Sequence, residues 1–137
     1  MPSRKDRLII DTNLWISFLI TKDYNKLDRV LSDKTTTLLY NQQLIDEFIE
    51  VAQRPKFKAY FSPEDLYELL LGVSQRAYFI EVSSAVNICR DPKDNFLLAL
   101  AKDGKATHLL TGDQDLLVLR RFGKTKILTL NEYLTTT

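Results

Sequence analysis

Four acidic residues lie where a carboxylate could reach an active crevice, after predicted strands or on predicted helices: Asp11, Glu47, Asp94 and Asp113. Carboxylates gathered within a few ångströms repel each other, and their pKa values rise unless a cation neutralises them. Oxygen ligands of this kind favour Mg²⁺ or Mn²⁺, whereas Zn²⁺ favours histidine and cysteine. Such an ion can polarise a phosphodiester and lower the pKa of a bound water. If the fold brings the four acids together, they support metal-assisted hydrolysis of phosphate esters.

Asp11 and Asp113 each follow an apolar run that is typical of a strand. Asp11 comes directly after residues 8–10, and Asp113 follows residues 108–110 and the pair Thr111-Gly112. Neighbouring parallel strands bring such residues into one crevice beyond their carboxyl ends. A simpler interpretation of each residue is a turn aspartate that binds its own backbone.

The other two acids lie on predicted helices. Glu47 falls beside the apolar stripe of a helix predicted over residues 42–54, where it either reaches solvent or needs a partner such as a metal. Asp94 takes the third position of a helix predicted over residues 92–102, with Asp91 as its N-cap. A favourable interaction with the helix dipole explains Asp94 without any ligand. The same dipole keeps Asp94 ionised among other acids, so both interpretations can hold together.

The sequence offers little competing chemistry. His108 is the single histidine, which excludes a pair of histidines acting as acid and base, and we expect it to pack within a strand. No phosphate-binding G-x-x-x-x-G-K-[ST] loop and no G-x-S-x-G nucleophile motif occurs. A haloacid-dehalogenase-type phosphatase needs a second aspartate two residues after the first, but Asn13 stands there. An aspartate or a water activated by the metal must therefore act as the base.

Composition indicates one domain, over residues 1–137. The chain has 45% hydrophobic and 27% charged residues, which suffices for one core but not for two ordinary domains. No apolar run approaches the roughly 20 residues of a membrane helix, and we expect no signal peptide. Cys89 is the single cysteine, so an intrachain disulfide is excluded, and we predict a reducing, cytoplasmic setting.

The net charge of +1 excludes a wholly basic surface of the histone type. Local clusters of basic residues must then supply any contacts to phosphates. One cluster contains Arg54 and Lys56, and the other contains Arg120 and Arg121. We predict these four as candidate contacts to a nucleic acid, although each cluster is also typical of an ordinary solvated surface.

The elements that must position these residues alternate along the chain. Strands are predicted at 8–10, 37–40, 78–82, 108–110 and 127–130. Helices are predicted at 42–54, 63–75 and 92–102. This alternation predicts a parallel sheet covered on both faces. Asn41, Ser62 and Asp91 are predicted N-caps, and Gly104 is predicted to end the third helix in the left-handed conformation.

Four blocks of the sequence resemble, in order, the motifs of PIN domains. They are residues 8–13 (LIIDTN), 46–57 (DEFIEVAQRPKF), 90–95 (RDPKDN) and 110–117 (LTGDQDLL). The resemblance covers nearly the whole chain and is greatest to the PIN-family toxin components of toxin–antitoxin systems. It implies an α/β fold with three α/β/α layers and a central, mainly parallel sheet.

The same resemblance implies a Mg²⁺- or Mn²⁺-dependent endonuclease, typically acting on single-stranded RNA, with a small antitoxin protein as its partner. By motif position, the catalytic and metal-binding quartet is matched by Asp11, Glu47, Asp94 and Asp113. Asp115 is a further acid expected near the metal, and Asn13 and Thr111 match supporting polar positions. The sequence departs from this branch at Asn41, where serine is frequent, but both residues cap helices.

Two other functions stay open at this point. One is a PIN scaffold that has lost catalysis and binds RNA or protein. The presence of all four acids argues against such a loss. A metal-dependent, phosphatase-like α/β hydrolase is the second alternative. Metal-dependent cleavage of RNA separates both from a nuclease. The sequence also leaves open a homodimer, the number of metal ions, the RNA target and the roles of Asp91 and Asp115 in catalysis.

Overall fold

A mainly parallel sheet organises the computed structural model, which describes residues 6–22, 24–32 and 35–135. Within those residues the sheet has six strands in the order β3-β2-β1-β4-β6-β5. They are β1 (Arg7–Ile10), β2 (Thr37–Tyr40), β3 (Ala77–Phe79), β4 (His108–Leu110), β5 (Arg121–Phe122) and β6 (Thr125–Leu128). Each neighbouring pair is parallel except β5 with β6, which forms an antiparallel hairpin at one edge. The predicted central, mainly parallel sheet is thus confirmed.

Seven α-helices surround this sheet in the part of the chain that the structure describes. They are α1 (Thr12–Thr21), α2 (Asn25–Val30), α3 (Gln42–Ala52), α4 (Pro63–Ser74), α5 (Pro92–Gly104), α6 (Gln114–Leu117) and α7 (Leu130–Thr135). None of the described helices has both the length and the apolar character needed to cross a bilayer. The predicted bounds of the domain, 1–137, also include residues 1–5, 23, 33–34 and 136–137, which lie outside the described residues.

The two faces of the sheet are covered by different helices, because successive strand residues point to opposite sides. Ile9 and Leu109 face a cluster that includes Leu98 and Leu100 of α5. The other face of the sheet packs against α1, α2 and α7. The strand residues on that face are Leu8, Ile10, Leu38 and Leu110. This arrangement gives the three α/β/α layers predicted for the fold.

The predicted N-caps are confirmed. Asn41 Oδ1 accepts a hydrogen bond from the backbone N–H of Leu44 at 3.0 Å. Ser62 forms a reciprocal capping box with Asp65, directly before Pro63. Asp91 accepts from the backbone N–H of Lys93, so α5 begins at Pro92 as predicted. Side chains therefore satisfy orphan backbone donors at the start of each of these helices.

The prediction for Gly104 is wrong. Gly104 is the last residue of α5, and Lys105 takes the left-handed conformation with a φ of 52°. A Cβ atom at position 104 would lie 2.9 Å from Leu39 Cδ1 and 3.2 Å from Ile80 Cγ1. Glycine thus leaves room at this position for the side chains of Leu39 and Ile80, and backbone torsion has no part in it.

Other boundaries differ by a few residues. The strand predicted at 78–82 is β3 (Ala77–Phe79), and the one predicted at 127–130 is β6 (Thr125–Leu128). The second shift arises because Gly123, with a φ of 59°, turns the chain between β5 and β6. Helices α3 and α4 end two residues and one residue before the predicted bounds, whereas α5 extends two residues further.

Candidate active site

The carboxyl ends of β1 and β4 lie side by side and place Asp11 next to Thr111. The two strands pair in parallel, with Ile10 opposite Leu110. The backbone N–H of Asp11 donates to the carbonyl of Leu110 at 3.0 Å. The carboxyl ends of the two strands are therefore adjacent, as predicted, and they bring Asp11 and Thr111 together.

Thr111 joins the two acids that follow these strands. Its Oγ1 donates a hydrogen bond to Asp11 Oδ2 at 2.7 Å and accepts one from the backbone N–H of Asp113 at 3.0 Å. Only 1% of Thr111 is exposed. The bond to Asp11 is buried and the bond from Asp113 is partly buried, so a single hydroxyl fixes the Asp11 carboxylate relative to the chain that carries Asp113.

Burial raises the pKa of Asp11. The hydrogen bond from Thr111 acts in the opposite direction, since it favours the charged form, and the charge of Asp113 raises the pKa again. The backbone N–H of Asn13 also lowers it. Asn13 is exposed, and its side chain makes no hydrogen bond within the described residues, so its contribution here comes from the backbone.

Asp94 lies in the first turn of α5 and is almost fully enclosed, with 4% of the residue exposed. Within the described part of the chain, its Oδ2 is buried without a hydrogen-bond partner. Burial, and then the neighbouring Asp113, raise the pKa of Asp94 to about 7. A buried, ionised and unpartnered carboxylate is costly. The helix dipole does not hold the pKa of Asp94 low against these effects, contrary to the expectation from the sequence, and the position favours either a proton or a cation.

Asp94, Asp113 and Asp115 form an acidic cluster. Each offers one carboxylate oxygen, and the three oxygens lie within 4.8 Å of one another. Asp113 also caps α6, because its Oδ1 accepts from the backbone N–H of Asp115 at 2.9 Å. The turn-aspartate interpretation is thus correct for one oxygen of Asp113 and leaves its second oxygen for another role.

Glu47 is not one of the three grouped acids and is paired with a basic side chain. It lies on α3 and is partly buried, as its place beside the apolar stripe predicted. Its Oε1 lies 3.4 Å from Nζ of Lys93. The partner that a carboxylate at this margin requires is therefore an ammonium group in this structure. Asp46 and Glu50, on the same helix, are exposed.

The four basic residues predicted to contact a nucleic acid have other surroundings in the described structure. Arg54 pairs with Glu50 one helical turn earlier, at 3.4 Å. Lys56 Nζ lies 5.0 Å from the ring centre of the adjacent Phe57. Arg120 and Arg121 are exposed. Among the described residues, none of the four forms an ion pair or hydrogen bond with the acids of the site.

Sequence reasoning missed three residues beside the cluster, all in the segment before and within the start of α5. Arg90 pairs with Asp115, and Lys93 pairs with Glu47. Cys89 is half-buried, and its pKa is raised by burial and then by the nearby acids, Asp94 first among them. The signal was present in the block RDPKD, where basic and acidic residues alternate directly around a predicted site residue.

The donors of the cluster suit a hard divalent cation. They are all carboxylate oxygens, which Mg²⁺ and Mn²⁺ prefer. The buried Oδ2 of Asp94 supplies an oxygen that has no other partner in the described residues. His108 is not one of these donors. It is buried in β4, as predicted, and its ring centre lies 5.0 Å from that of Tyr133.

Comparison with known proteins agrees with this architecture. The model of the PIN domain family matches residues 7–115, a range that contains Asp11, Glu47, Asp94 and Asp113. The chain is also 30% identical over 124 residues to a protein of Methanocaldococcus jannaschii named Uncharacterized protein MJ1680. That similarity covers 88% of this chain and 79% of the archaeal protein. This chain belongs to the PIN domain family.

Proposed function

We propose that this protein is a metal-dependent endoribonuclease that hydrolyses phosphodiester bonds in single-stranded RNA. Its family gives it a nuclease-type fold, and the fold carries an acidic cluster. The observation that supports the proposal most directly is Asp94. Its Oδ2 is buried without a partner in the described residues, beside two further carboxylates. Binding of a divalent cation satisfies that oxygen and removes the repulsion among the acids.

Asp94, Asp113 and Asp115 are the residues that would hold Mg²⁺ or Mn²⁺. When bound, such an ion polarises the phosphodiester and makes water a stronger nucleophile. Asp11 would then act as the base. Its Oδ2 is fixed by Thr111, and its raised pKa makes it better able to accept a proton from water. Glu47, on α3, would be the fifth acid, at the edge of the site.

Metal dependence is the first test of this function. We expect the purified protein to cut single-stranded RNA in Mg²⁺ or Mn²⁺, and we expect EDTA to abolish cutting, because carboxylates without histidine partners need the ion. Fragment lengths on a denaturing gel measure this result. Undiminished cleavage in EDTA would contradict the metal-dependent mechanism.

The same assay separates the two alternatives. A non-catalytic binding module would retain full-length RNA in every metal while still shifting it on a native gel. A phosphatase-like hydrolase would release phosphate from a simple aryl phosphate ester and leave internal phosphodiester bonds intact. We expect internal cleavage of RNA and no turnover of the monoester.

We also propose that the nuclease is the toxin of a toxin–antitoxin pair and acts in the cytoplasm. The support is the resemblance of its four sequence blocks to that branch of the family. A toxin of this kind must be restrained in its own cell, so we propose a small antitoxin whose tail covers the acidic crevice. A gene for a small DNA-binding protein directly upstream would support this role.

Growth measurements test the toxin role. We expect expression of this chain alone to arrest growth, and co-expression of the upstream protein to restore growth and to yield a co-purifying complex. Harmless overexpression together with the absence of a co-purifying partner would count heavily against a toxin. It would leave the ribonuclease proposal standing, since processing nucleases need no antitoxin.

A further inference from the structure

Two basic side chains from one short segment neutralise two acids of the site. Arg90 Nη2 lies 3.1 Å from both Oδ1 and Oδ2 of Asp115. Lys93 Nζ lies 3.4 Å from Oε1 of Glu47. Arg90 directly precedes the N-cap of α5, and Lys93 is the second residue of the helix. Both cations are therefore tied through the backbone to Asp94, the buried acid of the cluster.

These two ion pairs are open to exchange. The side chain of Arg90 is 88% exposed and that of Lys93 is 55% exposed. Ion pairs in water contribute little to stability, because solvent screens the attraction and the side chains lose entropy. Within the described residues, Nε and Nη1 of Arg90 donate no hydrogen bond. Most donors of the guanidinium fork are thus available for another anion.

An RNA phosphate must approach this site against the charge of several carboxylates. A divalent cation offsets part of the repulsion, and basic side chains near the site must offset the rest. Arg54, Lys56, Arg120 and Arg121 form no contact with the acids in the described structure. Arg90 and Lys93 are in direct contact with them, so they are the cations best placed to meet the substrate.

We propose that Arg90 and Lys93 bind phosphates of the RNA at the acidic crevice, releasing Asp115 and Glu47 when a divalent cation occupies the carboxylates. This inference rests on the proposed function. Arg90 suits a bidentate contact to two phosphate oxygens, and Lys93 suits a single charged contact. The segment that supplies Asp94 would thereby also position the substrate.

Binding of a fluorescently labelled single-stranded RNA, followed by anisotropy in Ca²⁺ at several salt concentrations, tests this inference. We expect Arg90→Gln and Lys93→Gln each to weaken binding by about tenfold, as loss of a charged hydrogen bond implies. Each should also reduce the slope of log affinity against log salt by about 0.7. Arg90→Lys should recover part of the loss, because it keeps the charge without the fork. Lys102→Gln, in the exposed last turn of α5, is the matched control and should bind as the wild type does.

A second pair of variants separates phosphate contact from mere neutralisation of Asp115. Asp115→Asn frees Arg90 but also removes a carboxylate that would hold the cation, so it is the reference for the double variant in place of the wild type. Adding Arg90→Gln to it should weaken binding by about tenfold, because the phosphate contact is lost even where no carboxylate needs a partner. If the double variant binds as tightly as Asp115→Asn, Arg90 acts through Asp115 and the inference is overturned.

Failure of this inference is distinguishable from failure of the proposed function. If the wild type binds no RNA, the ribonuclease proposal fails and the inference falls with it. If the wild type binds and cleaves RNA while both Gln variants match Lys102→Gln, the function stands and the contacts lie elsewhere. A loss confined to the two variants, with unchanged melting temperatures, is the supporting result.

Discussion

Asp94→Asn is expected to reduce RNA cleavage by about a hundredfold or more, which is the usual effect of removing a preorganised charged group, while the protein stays folded. The substitution keeps the size of the side chain and removes the charge that would hold the cation. If Asp94 served only the helix dipole, the loss would be limited to roughly 0.3–1 kcal/mol of stability. Turnover per folded molecule, measured with saturating Mn²⁺, separates the two roles.

The metal-free protein should respond to the same substitution in the opposite direction. The pKa of Asp94 is raised from 3.8 to about 7 in the fold, so folding favours its protonated form. Stability from this group is complete below pH 4 and is lost as the pH rises through 7. Above that pH, Asp94→Asn should stabilise the metal-free protein by on the order of 2–4 kcal/mol. Melting curves in EDTA at pH 5 and pH 8 measure the change, which should be clearly larger at pH 8.

Asp91→Asn is the control for both measurements. Asparagine caps a helix about as well as aspartate, so the bond to the backbone N–H of Lys93 persists. We expect near-wild-type cleavage from this variant. If Asp91→Asn and Asp94→Asn both cleave RNA at near-wild-type rates, Asp94 is a helix-terminus residue and the proposed metal site is wrong.

Part of the site could be predicted because strand ends and helix starts are local features of the sequence. Asp11 follows an apolar run, and Asp94 follows the cap and proline that start α5, so their place in the fold followed from rules about neighbouring residues. Glu47 marks the limit of this reasoning. Its need for a partner was evident from the apolar stripe of α3, but the partner Lys93 comes from a different helix. Only the packing of α3 near α5 reveals that pair.

The fold shows the same division between local and tertiary information. The run TNLWISFLIT, which forms α1, is apolar along most of its length, so it lacks the one-sided stripe that marks an amphipathic helix. Three of its hydrophobic residues are buried, Ile16, Phe18 and Leu19. They pack into two different core clusters, so tertiary contacts on more than one side stabilise this helix. Gly104 was misassigned for a related reason, since its role depends on the approach of Leu39 and Ile80.

Thr111→Val is expected to damage both stability and catalysis, although it changes little in size. It removes the hydroxyl that donates to Asp11 Oδ2 and accepts from the backbone N–H of Asp113. The buried Asp11 Oδ2 then loses this partner at a cost of about 1–3 kcal/mol, and the partly buried N–H of Asp113 loses its partner at a smaller cost. Turnover should fall by about 10–100-fold, the range seen when a group that orients a metal-site residue is removed. Urea unfolding and single-turnover cleavage measure the two effects.

Thr111→Ser separates the hydroxyl from the methyl group. Serine keeps both hydrogen bonds, so it should retain most activity and lose only the packing of one buried methyl. The pH profile adds a readout that packing alone cannot move. The Thr111 hydroxyl lowers the pKa of Asp11, so its loss in the valine variant should shift the acid limb of cleavage to higher pH, while the serine variant keeps the wild-type limb. Identical acid limbs in all three proteins would mean that Thr111 supports the fold without changing the pKa of Asp11.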